Sequence, residues 1–214
     1  MTRPRSARNL IAASLIALAV TISVEHCRAE GQEDFSAPIP TAEEMQQMQQ
    51  RWMETCVPGK WHRRLEYFLG RWDTVTQMRM DGMTGEGGRS KGQAEFRWLV
   101  DGRWLWMEGK GEMMGQKLST YGITGYDNFR HKFVSVFVDD ISTAMNSAAG
   151  LLDQEGNTKI EYGTIDEPMT GEVGKHVKYV TRITDEDHFV FEVHDLGIGE
   201  TNTLVFDVSY TRRK

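Results

Sequence analysis

From Gly70 onward, apolar and polar residues alternate with a period of two. Ala94, Phe96 and Trp98 interleave with Glu95 and Arg97. Phe189, Phe191 and Val193 alternate with Val190, Glu192 and His194, and Leu204, Phe206, Val208 and Tyr210 with Val205, Asp207, Ser209 and Thr211. Successive strand residues point to opposite faces, so this pattern predicts strands with one face packed and the other in water or a polar lumen. About ten such segments follow one another, near 71–80, 91–100, 103–113, 116–125, 132–139, 143–152, 157–165, 174–184, 188–196 and 202–212. Turn signals separate them at short, even spacing: Asp101-Gly102, Met114-Gly115, Asp127-Asn128, Gln154-Glu155-Gly156 and Asp185-Glu186-Asp187. A run of ten antiparallel strands has two exposed edges unless it closes, so the pattern predicts an up-and-down barrel, with a two-sheet sandwich as the runner-up.

The chain before Gly70 reads differently. Met45, Met48, Trp52 and Met53 recur at helical spacing. Thr41-Ala42-Glu43-Glu44 has the form of a capping box, and Pro58-Gly59 stops the helix after about Cys56. The apolar stripe is expected to pack on the body or to cover one end of it. Residues 61–68 predict one or two further helical turns. At the extreme N-terminus, Arg3, Arg5 and Arg8 precede an apolar run from Leu10 to Val24, and Cys27-Arg28-Ala29 offers a small residue at the end of a cleavage site. This is the pattern of a secretory signal peptide cut after Ala29. The run is shorter than the ~20 residues of a spanning helix. The chain thus divides into a signal peptide (1–29), a polar lead with an amphipathic helix (30–60) and a barrel domain (61–214), and the protein is expected outside the cytoplasm, in the periplasm or secreted.

The chain has 214 residues and a formal charge of −6. The signal segment carries four Arg and one Glu, so its removal takes the charge to −9. An acidic body without a basic run argues against nucleic acid and against stable membrane association after cleavage. Cys27 leaves with the signal and Cys56 remains alone, which excludes an intramolecular disulfide. A barrel of this length has enough core to dispense with one.

An ordered series of short motifs resembles the bacterial domain of unknown function family 1579, a member of the lipocalin-like (calycin) superfamily. The series is His62-x-x-Leu65, Leu69-Gly70-Arg71-Trp72, Phe96-Arg97-Trp98, Gly102-Arg103-Trp104-Leu105, Gly111-Glu112-Met113-Met114-Gly115, Gly122-Ile123-Thr124-Gly125-Tyr126-Asp127-Asn128, Ser142-Thr143, Pro168-Met169-Thr170-Gly171 and Tyr210-Thr211-Arg212. It spans roughly residues 60–213. The resemblance implies an all-β, antiparallel up-and-down lipocalin-like β-barrel of about ten strands, here with a short N-terminal helix, and an interior able to hold a small ligand. It also implies that Trp72 plugs one end of the barrel. It implies no activity.

The residues offer no strong catalytic motif. No zinc-protease helix, phosphate loop, dinucleotide fingerprint or nucleophile elbow is present in the sequence, and Gly85-Glu86-Gly87-Gly88 is expected to be a hairpin loop. No catalytic residue, metal ligand or cofactor is assigned. His188, Glu192 and His194 share a strand face, but the opposite face is the apolar one, so the trio is expected in solvent. Asp139 and Asp140 are consecutive, hence point apart, and suit a strand end better than an acid/base pair. Arg97, Glu108 and Tyr121 lie on three successive strands. With Trp98, Trp104 and Trp106 they form the candidate ligand site, a few polar groups among aromatic walls. An exterior cross-strand salt bridge is the competing reading of the same residues. The leading expectation is an exported barrel that binds a small apolar or amphipathic ligand. An enzyme acting inside the barrel, a hydrolase or isomerase, and a structural envelope-interaction protein are the alternatives; the oligomeric state is left open.

Overall fold

A computed structural model describes residues 39–79, 88–113, 115–168, 170–197 and 203–214. The expected signal peptide and the Gly85–Gly88 loop, up to Gly87, lie outside the described residues. The chain divides into two compact units, Met1–Gln47 and Met48–Lys214.

The helix α1 runs from Ala42 to Cys56. Its start is the expected capping box: the Glu44 N–H donates to Thr41 Oγ1 at 3.3 Å, and the Thr41 N–H donates to Glu44 Oε2 at 2.7 Å. Its apolar stripe departs from expectation. No residue of α1 is buried, and Met48, Trp52 and Met53 are all more than half exposed. The stripe therefore does not pack on the body as the spacing predicts. Polar contacts hold the helix end: Asn128 donates to the carbonyls of Thr55 and Val57, and Arg103 to that of Cys56. Cys56 is a free, exposed thiol.

A short helix α2 (Lys60–Arg63) continues into a 3-10 turn (Arg64–Phe68), which leads into ten strands. These are β1 (Gly70–Met78), β2 (Arg89–Val100), β3 (Trp104–Met113), β4 (Gln116–Asp127), β5 (Lys132–Asp139), β6 (Asn146–Leu152), β7 (Thr158–Glu167), β8 (Glu172–Ile183), β9 (His188–Asp195) and β10 (Thr203–Arg212). Each pairs antiparallel with its sequence neighbours, and β10 closes on β1 through the register Trp72↔Arg212 to Met78↔Phe206. The barrel is closed, so neither edge is left unpaired. At Asp101-Gly102, Gly102 takes φ +64° and the Arg103 N–H returns to the Val100 carbonyl at 2.9 Å, closing the β2–β3 hairpin.

The described register has three irregularities, at Trp98/Val100, Ile165/Glu167 and Leu204/Phe206, and the first and last change which residues face inward. Leu204 pairs with His194 while Phe206 pairs with Val193, so Leu204 leaves the face of Phe206 on which strict alternation places it. Likewise Val100 pairs with Trp104 and not on the Trp98 side.

One end of the barrel is plugged. Leu65, from the 3-10 turn, is 1% exposed and packs with Leu105, Tyr126 and Phe133. Trp72 is fully buried, and its indole N–H donates to the Phe68 carbonyl at 2.8 Å, which satisfies its one polar group. The Arg212 guanidinium lies 4.1 Å from the Trp72 ring and donates to the carbonyls of Leu69 (2.8 Å) and Tyr67 (2.6 Å). The carbonyls left unpaired at the end of the turn are thereby tied to the last strand. His62 is buried against the Tyr126 ring and accepts the Gly59 N–H on Nδ1 at 3.0 Å.

Candidate functional site

Inside the plugged barrel is a cavity of about 360 Å³. Small-molecule pockets span roughly 300–1,000 Å³. The plug side is aromatic. Phe189 and Tyr210 stack at 4.1 Å, and Phe189 meets Phe68 (5.0 Å) and Trp72 (4.8 Å) edge-on. Phe96, Leu105, Met107, Phe137, Phe191, Val193 and Val208 extend the apolar lining. Hydroxyls interrupt it at Thr74, Thr76, Thr120, Thr124, Thr181, Tyr179 and Tyr210.

One wall of this cavity carries a buried polar chain. Lys159 and Glu161 are two apart on β7 and therefore share the inner face. The Lys159 ammonium contacts Glu161 Oε2 at 2.6 Å. Ser135 Oγ donates to the other carboxylate oxygen at 2.7 Å, and Thr124 and Ser135 hydroxyls are 3.1 Å apart. A hydroxyl has one hydrogen, and that of Ser135 is engaged by Glu161, so Thr124 is the donor to Ser135. Glu161 is 1% exposed. A carboxylate this deep is tolerable because both of its oxygens are paired.

Local sequence explains how the chain spans three strands. Thr124 and Ser135 are directly paired across β4 and β5. Between Ser135 and Glu161 lies β6, whose inward residues there are Ala148 and Gly150. Their smallness lets the β5 and β7 side chains meet over the strand. A Cβ on Gly150 would collide with the Ile160 carbonyl oxygen and stand 2.6 Å from Glu161 Cα.

Beside the chain, burial pushes the Tyr179 phenol up to about 12, with the Glu161 charge acting in the same direction. Burial also raises Tyr210. Both are neutral hydroxyls at physiological pH, able to donate and accept. At the rim, Asp139 accepts the N–H groups of Ile141 and Ser142, while Asp140 accepts that of Ser119 at 2.8 Å, which lowers the Asp140 pKa. The two carboxylates cap a strand end and do not share a pocket.

The sequence-predicted ligand residues fall elsewhere. Arg97, Trp106, Glu108 and Tyr121 are brought together, but on the outer wall: each sits between inward neighbours such as Phe96, Leu105, Met107 and Thr120. Arg97 lies over the Trp106 ring at 5.7 Å, Trp106 and Tyr121 are 5.7 Å apart, and Glu108 pairs with Lys110 at 2.9 Å, not with Arg97. Trp104 is also outside, its ring resting on Gly125 in the space a Cβ would fill. Trp98 alone points inward, packed on the Leu65–Leu105–Tyr126–Phe133 cluster next to the plug. None of the six lines the cavity. The His188, Glu192 and His194 trio is also outside. His194 Nε2 meets Glu192 at 3.1 Å, Glu192 pairs with Arg182 at 3.0 Å, and His188 binds Asp185. Among the described residues, no group of three His, Cys, Asp or Glu side chains converges as a metal site would need.

The residues that do form the inner polar wall, Lys159, Glu161, Ser135 and Thr124, escape sequence reading because β7 inverts the usual pattern. Over its first half the apolar residues, Ile160 and Tyr162, face out while Lys159 and Glu161 face in, and only at Ile165 does an apolar side chain return to the inner face. The available signal is the two small residues of β6, Ala148 and Gly150, which flag a place where neighbouring side chains must cross.

The barrel is similar to solved structures at low identity. A structure of Rv2717c from M. tuberculosis superposes with a TM-score of 0.52 at 12% identity, covering 74% of this chain and 100% of that one. A redesigned β-barrel (TM-score 0.36, 15% identity, 71% and 96% coverage) and a de novo designed fluorescence-activating β-barrel (0.36, 10%, 69% and 95%) are more distant. No curated protein matches the chain. The first likeness supports the barrel topology alone. The motif series running from the plug to the last strand is matched as a whole by one family model over residues 57–212, and the chain belongs to that family, the proteins of unknown function DUF1579.

Proposed function

We propose that the barrel binds one small, largely apolar molecule in its interior. The observation that carries this reading is the cavity of about 360 Å³, walled by aromatic and aliphatic side chains with several hydroxyls, the Lys159 ammonium and a few other polar side chains, among them Gln93, Asp139 and Asn146. Burial of apolar surface supplies the affinity of such a site and the sparse polar groups set the orientation. The residues responsible are the inner-face set around Phe96, Met107, Tyr179, Phe191 and Tyr210, with Lys159 as the polar anchor.

Two measurements test the reading. Native mass spectrometry on protein purified from its own cell should show a reproducible one-to-one adduct, identifiable after denaturation. Titration with an environment-sensitive apolar dye should give saturable binding that Gly109→Leu weakens at least about tenfold. Gly109 lines the cavity, and a Cβ there meets its neighbours only at 3.5 Å or more, so the larger side chain fills the cavity without disturbing the wall. An empty protein with no saturable dye binding refutes the proposal.

The same proposal places the protein beyond the inner membrane, supported by the Arg-flanked apolar run of residues 3–24 and the Ala29 site. N-terminal sequencing of the mature protein tests it: a chain that starts at Glu30 agrees, and an intact Met1 terminus on cytoplasmic protein contradicts it.

A further inference from the structure

We infer that the cavity selects a neutral amphipathic molecule, a hydrocarbon tail with an alcohol, ester or ketone head, and that the head accepts a hydrogen bond from Lys159. This rests on the reading that the cavity binds a ligand at all. An ammonium carries three N–H donors. Among the described residues, the Lys159 ammonium has one polar partner, Glu161 Oε2 at 2.6 Å, and its side chain lines the cavity at 11% exposure. The other ammonium of the lining, Lys110, is 69% exposed and paired with Glu108, so the remaining donors of Lys159 are the strongest unspent hydrogen-bonding capacity on the buried part of the wall. The other members of the chain have none to offer as donors: Glu161 accepts from Lys159 and Ser135, and the Ser135 hydrogen is committed to Glu161.

Charge decides the class of acceptor. Lys159 and Glu161 sum to zero, and Glu161 cannot move away, since it is fixed from both oxygens. A carboxylate head on Lys159 would sit close to Glu161, lose its hydration, and share the cavity with Asp139 and Glu112, while the other cation of the lining, Lys110, is exposed and already paired with Glu108 at 2.9 Å. A hydroxyl or carbonyl oxygen takes the same N–H bond and brings no charge. An amine head would bring a cation to an ammonium. The neighbouring Tyr179 hydroxyl, neutral at physiological pH, provides a further uncharged partner on the same side.

The experiment is displacement of an apolar dye by decanol, methyl decanoate, decanoate and decylamine at about pH 8, where the acid is ionised. The expected result is that decanol and methyl decanoate bind at least about tenfold more tightly than decanoate or decylamine. Glu161→Gln leaves Lys159 unbalanced, and decanoate should then overtake decanol. The double variant Lys159→Met with Glu161→Met removes both charges; dye binding should persist while decanol loses its advantage over decane. Tighter binding of decanoate or decylamine by the natural protein overturns the inference, as does failure of all four to displace a bound dye. An undiminished advantage of decanol over decane in the double variant overturns it too, and that arm stands even if the single variant does not fold. Absence of dye binding in the natural protein is a different result: it removes the cavity-binding reading itself.

Discussion

Glu161 is the residue on which the interior depends most. It is almost fully buried, and its charge is matched by one ammonium and one hydroxyl. Breaking a buried pair from one side leaves an uncompensated ion, which costs more than the pair contributes. Lys159→Met is therefore expected to destabilise the barrel by roughly 3–5 kcal/mol. Adding Glu161→Met should return most of that loss, a non-additivity visible in a double-mutant cycle of denaturant unfolding. Tyr179 gives a second handle at this scale. Its folded-state pKa is raised to about 12, so the folded state holds the proton after the unfolded chain has released it. The Tyr179 contribution is whole below about pH 10 and declines as pH rises through about 12. Unfolding measured across that window should be steeper in the natural protein than in Tyr179→Phe.

Among the elements, the plug and β6 carry the tightest constraints. The plug holds His62 neutral. Burial lowers its pKa most, a hydrogen bond to the Tyr126 carbonyl opposes that, and the Arg103 charge lowers it again. In the neutral ring Nδ1 accepts the Gly59 N–H, which a protonated ring cannot do. The folded pKa is depressed, so the stability it confers is present above about pH 6.5 and is lost as pH falls through the folded value. Melting temperature should drop below that pH, and His62→Gln should flatten the drop. Strand β6 tolerates no added carbon at Gly150, because the obstruction is backbone of β7. Gly150→Ala is expected to cost at least about 1–3 kcal/mol, against a few tenths for the same change at a surface site; thermal unfolding distinguishes them. The stripe on α1 is the opposite case. With Trp52 66% exposed and no residue of the helix buried, Trp52→Ser should move the melting midpoint by less than about 0.5 kcal/mol equivalent.

Over the whole molecule, closure decides what each face meets. The outer face of β3 to β7 carries two apolar rows beside the Glu108–Lys110 pair, with Trp106, Ile123 and Val136 in one register row and Trp104, Val134 and Tyr162 along another. Leu151 and Tyr162 there are more than half exposed. The remaining wall is charged, stitched by Arg71–Glu95, Arg213–Asp73 and Arg182–Glu192. The interior is not simply the apolar side of the sheet. It holds the Lys159–Glu161 pair, and several of the largest apolar residues lie outside. Pairing of the first and last strands makes the fold strongly non-local, which places refolding in the millisecond-to-second range of such topologies; stopped-flow Trp fluorescence would show it through Trp72, buried only once β1 and β10 meet the plug.

Much of this architecture was legible along the chain. The period of two, the turn residues at even spacing and the capping box at Thr41 are local signals, and local signals survive into the fold because backbone geometry enforces them. They point to about ten strands and to where those turn, and they favour a closed barrel over a two-sheet sandwich. They do not determine which face of a strand looks inward when both faces carry apolar residues. Around Trp98, Trp104, Trp106 and Tyr121 the pattern is ambiguous, and on β7 it points the wrong way. Inner and outer faces were settled by strand register, by bulges at Leu204–Phe206 and Trp98–Val100, and by the small residues of β6 that let Glu161 reach Ser135. Those are contacts between residues far apart in sequence, and only closure of the barrel brings them together.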